Sequence, residues 1–157
     1  MKQMIAKNTF IEIVCYLFIF LFLYTGVMKL IDHLDFYFAI EKSYILYRFA
    51  SVIAWVIPIL ELSIVVCLLI QKLKRIGLYA SFMLMALFTI YVGYNAFFTT
   101  HEERPCTCGG IIENMTWVQH FFFNTAFSLL ALLAIRFYKQ KVRGQAEFTE
   151  TRNLSYS

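Results

Sequence analysis

The chain has 157 residues, of which 61% are hydrophobic and only 15% charged, with a formal net charge of +4 and a mean hydropathy of +0.67. That is too little charge to cover a soluble domain of this length. The basic excess does not suggest nucleic acid either, because the Lys and Arg residues gather at the ends of long apolar runs.

The first apolar run, residues 10–31, carries Glu12 and Lys29 only near its ends. Lys2 and Lys7 precede it, as in a secretory signal. However, the run is longer than the about 7–15 residues of a signal core, and "YTGVMKLIDH" offers no small-x-small cleavage site. It reads as a retained span. The next stretch, 32–47, mixes acidic and aromatic residues ("DHLDFYFAIEKSY") and reads as an interfacial segment, since Tyr and Phe favour the headgroup level. Residues 49–70 form a second apolar run with one charge, Glu61, and the link "QKLKR" follows. The runs 76–100 and 117–135 carry no charge. A helix needs about 20 mostly apolar residues to cross a ~30 Å hydrocarbon layer. Only helices or closed barrels can span, and continuous apolarity without period-two alternation argues against barrel strands.

The expected fold is therefore all-α: a four-helix bundle spanning a membrane over about 10–31, 49–70, 76–100 and 117–137. Residues 1–138 form the transmembrane domain and 139–157 a polar, solvated cytoplasmic tail. Lys2, Lys7, Lys72, Lys74, Arg75, Arg136, Lys139, Lys141 and Arg143 fall on one side of such a bundle. The positive-inside rule puts that side, and both termini, in the cytoplasm of a cell whose inner membrane the chain crosses. The loop "HEERPCTCGG" then faces the periplasm. Pro105 and Gly109-Gly110 force turns around its cysteines, and Thr116 is placed to cap the last helix.

Cys106 and Cys108 stand one residue apart in this outward loop. Paired thiols in an oxidising compartment form a disulfide or cycle through one. A bridge closing so small a ring removes little unfolded-state entropy, and strained, exposed bridges are the labile ones. This favours redox exchange, with Cys106 and Cys108 as the catalytic pair. A plain loop clip, or a metal site completed by His101 or His120, stays open.

Beneath the loop lie polar residues that a membrane penalises. His120, Asn124 and Ser128 share one face of the last helix at i, i+4, i+8. Tyr91 and Asn95 share a face of the third, Gly26 and Lys29 sit one turn apart on the first, and Pro58 and Glu61 one turn apart on the second. Intramembrane ionisable groups usually face the bundle interior, so Lys29 and Glu61 are natural partners; alternatively Lys29 snorkels to the outer interface. Lys29, Glu61, Asn95, His120 and Asn124 are the candidate cofactor-binding set, with no metal ligand assigned. Cys15 and Cys67 lie at similar depth near the cytoplasmic side and fit ordinary core roles.

The ordered set "GVMKLIDHLDF", "PILEL" and "RPCTCGG", followed by Trp117 and Asn124, resembles the MauE/DoxX-like family of redox-associated membrane proteins, although Gly109 here directly follows the second cysteine. The resemblance implies a four-helix bundle with Gly26, Lys29, Pro58, Glu61, Cys106, Cys108 and Asn124 as family positions. It also implies a link to methylamine utilisation, where disulfide formation or maturation of a periplasmic dehydrogenase subunit is supported. The resulting expectation is a membrane thiol–disulfide protein serving a periplasmic thioredoxin-like or disulfide-bearing partner. A quinone is suggested as cofactor by analogy only. A non-catalytic assembly subunit of a larger membrane complex is the rival reading, and a metal-delivery protein a third.

Overall fold

The computed structural model describes residues 2–43, 46–98 and 116–155, with side chains over 7–43, 46–98 and 116–144. Its elements are α1 (Lys2–Ile31), α2 (His33–Glu41), a single 3-10 turn (Tyr47–Phe49), α3 (Ala50–Leu69), α4 (Lys74–Phe98) and α5 (Trp117–Ser155). Four helical stretches are long and apolar enough to cross a membrane: Lys7–Ile31, Tyr47–Leu69, Lys74–Phe98 and Trp117–Gly144. No strand occurs among the described residues.

The bundle is apolar outside as well as inside, which suits a lipid environment. Phe20, Ile90 and Phe98 are 70% exposed or more, where water would make such a surface a liability. Because lipid is as apolar as leucine, close packing must hold the helices together, and small residues mark the contacts. Ala54, Ser81, Ala131 and Ala134 are wholly buried. At Gly77 a Cβ would lie 2.8 Å from Leu68 Cδ2 and 3.1 Å from the Leu68 backbone nitrogen, so α3 and α4 approach as only glycine allows. The helices close into a ring in the order α1, α3, α4, α5. Phe18 fills the middle, stacked on Phe22 and edge-on to Phe127.

Hydroxyls inside the spans find partners on their own helices. Thr25, Ser63, Ser81, Thr89 and Thr125 each donate to the carbonyl four residues back, the local alternative to a missing water. The expected cap on α5 is a reciprocal box. The Gln119 backbone N–H donates to Thr116 Oγ1 at 3.3 Å, and the Thr116 N–H donates to Gln119 Oε1 at 2.9 Å, satisfying two terminal groups at once.

Two polar stretches are also helical. The interfacial stretch after α1 folds as a helix, α2, whose Ala39 and Ile40 are buried beside Ala50 and Ala54 of α3; it roofs one end of the bundle. The last helix continues past its apolar run. α5 runs unbroken for 39 residues to Ser155, and at ~1.5 Å per residue it far outruns a ~30 Å hydrocarbon layer.

Candidate functional site

The C-terminal ends of α1 and α4 and the N-terminal ends of α3 and α5 meet under α2, and there the candidate polar residues converge. Lys29, in the last turn of α1, reaches inward: its Nζ lies 2.5 Å from Glu61 Oε1. Glu61 is 1% exposed and Lys29 6%, so the lysine pairs rather than snorkels. The ammonium also sits 5.5 Å from the centroid of Phe36 on α2 and 5.2 Å from that of Phe88 on α4. Two ring faces thus share the cation with the carboxylate.

The partner oxygen is not satisfied. Glu61 Oε2 is buried with no hydrogen-bond partner among the described residues, a costly state for a carboxylate oxygen. Its space comes from Gly26, where a Cβ would lie 3.4 Å from Oε2. Pro58, one turn before Glu61 and also buried, has no N–H to bond the carbonyl four residues back.

Around this pair is a cavity of about 360 Å³. Its polar lining comprises Thr25, Lys29, Glu61, Tyr91, His120 and Asn124, and its aromatic walls include Phe22, Phe36, Phe88, Trp117 and Phe123. Every helix of the bundle contributes. Tyr91 donates its hydroxyl to Ser43 Oγ at 3.1 Å, tying α4 to the link after α2.

Of the sequence-derived set, Lys29, Glu61, His120 and Asn124 line one cavity. Asn95 does not: it is buried, and its Nδ2 donates to the Tyr91 carbonyl at 2.8 Å. One turn beyond Tyr91, its amide serves the backbone of α4. Ser128, on the His120–Asn124 face, lies 3.3 Å from Thr89 Oγ1 and ties α5 to α4. Cys106, Cys108 and His101 lie outside the described residues. Their segment leaves α4 after Phe98 and enters α5 at Trp117, itself a wall of the cavity. No cluster of three or more metal-ligating side chains occurs among the described residues. Cys15 is buried, Cys67 half-buried, and both are free thiols.

The sequence reading missed two features. α2 supplies Phe36, Ala39 and Ile40 to the cavity, and the only sequence signal was the run of aromatics after Lys29. A second ion pair closes the opposite end: Lys74 Nζ donates to both oxygens of Glu12 at 2.8 Å. Lys74 is 4% exposed.

Residues 7–137 match the family model described as methylamine utilisation protein MauE. The match covers the first three candidate spans and most of the fourth. Comparison with curated proteins and with solved structures gives no match.

Proposed function

The chain belongs to the MauE family, and from that premise we propose that this integral membrane protein carries out thiol–disulfide exchange through Cys106 and Cys108 in support of a protein partner outside the cytoplasm. The observation that carries the reading is the place where the C-x-C segment is anchored. The described chain resumes at the start of α5, where Trp117 lines the cavity that holds Lys29 and Glu61. The basic residues Lys72, Lys74, Arg75, Arg136, Lys139, Lys141 and Arg143 lie toward the opposite end. The positive-inside rule puts that end in the cytoplasm and the cysteines in the oxidising compartment.

The exchange runs through a mixed disulfide. A thiolate of the partner attacks the Cys106–Cys108 bridge, and one sulfur of the pair leaves as thiolate. The partner's second thiolate then attacks the mixed bond, releasing the other cysteine. The partner is oxidised to a disulfide and the chain holds two thiols. His120, on the first turn of α5, is the first basic group after Cys108; protonated, it stabilises a leaving thiolate.

The test is trapping. With Cys106→Ser or Cys108→Ser, the remaining cysteine should hold the partner in a reducible band of higher mass, which mass spectrometry identifies. If neither variant traps a protein and the double Ser variant keeps full activity in cells, thiol exchange is refuted. The chain then acts as an assembly subunit.

A further inference from the structure

We propose that the cavity around Lys29 and Glu61 is a binding site for the head of a lipid-soluble quinone. The pair presents opposite hydrogen-bonding capacities side by side. The Lys29 ammonium has three N–H donors, of which one goes to Glu61 Oε1. Glu61 Oε2 is an acceptor 1% exposed and without a partner among the described residues. A quinone carbonyl accepts from Lys29; after reduction, a hydroquinone O–H donates to Oε2.

The walls point the same way. Phe22, Phe36, Phe88, Trp117 and Phe123 line the same cavity, an aromatic lining that suits a planar ring. The volume of about 360 Å³ falls in the range of ligand sites, roughly 300–1,000 Å³, and accommodates a head group with its tail left in the bilayer. The flanking helices present apolar outer surfaces, a setting that suits a ligand carried in lipid. A soluble anion would have to displace Glu61 from Lys29 in an apolar setting; an uncharged carbonyl does not.

Binding of the head rests on the cavity alone, whereas its use as an electron acceptor rests on the thiol-exchange reading. When Cys106 and Cys108 close to a disulfide they release two electrons and two protons. The same two electrons and two protons convert a quinone to a hydroquinone.

The chain has two tryptophans, Trp55 and Trp117. Trp55 packs against His33 away from the cavity lining, so Trp55→Phe leaves Trp117 as the sole reporter. The full chain in lipid nanodiscs is titrated with a short-chain ubiquinone while Trp117 fluorescence is followed. The expected result is saturable quenching at one quinone per chain. Affinity should fall on the order of tenfold or more when Lys29→Met and Glu61→Gln are combined, the scale of one lost charged hydrogen bond. Ala39→Phe, which fills the cavity and keeps the ion pair, should also abolish saturation. A long-chain alkane, which has no hydrogen-bonding head, should not compete.

Quenching that rises linearly with quinone, or equal affinity in the folded variants, would overturn the proposal. So would full competition by the alkane, which would show a general lipid pocket. The Cys106→Ser/Cys108→Ser chain should bind the quinone as before. Saturable binding with no partner trapped and full activity of the double Ser variant would therefore refute thiol exchange alone, and trapping without saturable binding would refute the quinone site alone.

Discussion

Gly26 and Glu61 meet across the α1–α3 contact: a Cβ on Gly26 would lie 3.4 Å from both Cβ and Oε2 of Glu61. The absent side chain lets α1 pack against the carboxylate, and Lys29 follows one turn later to pair with it. The motif G-x-x-K on α1 and the lone acid of α3 are thus parts of one arrangement.

That arrangement predicts a double-mutant cycle with strong coupling. Lys29→Met leaves a buried carboxylate without its cation, and Glu61→Gln leaves a buried ammonium without its anion. Each single change should destabilise the detergent-solubilised protein by about 3–5 kcal/mol, and the double change by less than their sum. Thermal or denaturant unfolding of the four proteins measures this; additive losses would show that the two groups act independently.

The Lys74–Glu12 pair should behave asymmetrically. The Lys74 side chain is 5% exposed and that of Glu12 42%. Replacing Lys74 by Met returns Glu12 to solvent, whereas Glu12→Gln strands a buried ammonium. Glu12→Gln should cost about 2 kcal/mol or more, and Lys74→Met about 1 kcal/mol or less. The reverse order in an unfolding assay would contradict the burial on which the prediction rests.

Glycine substitutions should order themselves by the space around each Cβ. Gly77→Ala meets the backbone of Leu68 at 3.1 Å and should cost about 1–3 kcal/mol. Gly26→Ala meets side chains at 3.3–3.4 Å and should cost less. Gly144 has nothing within 4 Å, so Gly144→Ala should be neutral or stabilise α5 by up to ~1 kcal/mol. Unfolding temperatures of the three variants give the order directly.

Topology is tested by labelling. After mild reduction, a membrane-impermeant thiol reagent should modify Cys106 or Cys108 in intact spheroplasts, while Cys15, buried in the bundle, stays unlabelled. Labelling only after permeabilisation would reverse the assigned sides and remove the oxidising-compartment argument.

The spans were legible in the amino-acid sequence because their cause is local: an uninterrupted apolar length must match the thickness of a hydrocarbon layer. The demand of Lys29 and Glu61 for partners was legible for the same reason, since a charge at that depth is costly wherever its helix turns. Which residues share an interior was not. These helices are apolar all round, so no polar face marks the side that packs, and the rotation of each is set by small-residue contacts such as Gly77 on Leu68. Only that packing could turn His120 and Asn124 into the cavity and leave Asn95 on its own helix. It also buried Lys74 against Glu12 across the bundle and laid α2 over the end of α3. Apolar length is a property of one segment, whereas the inward face of a membrane helix is a property of its neighbours.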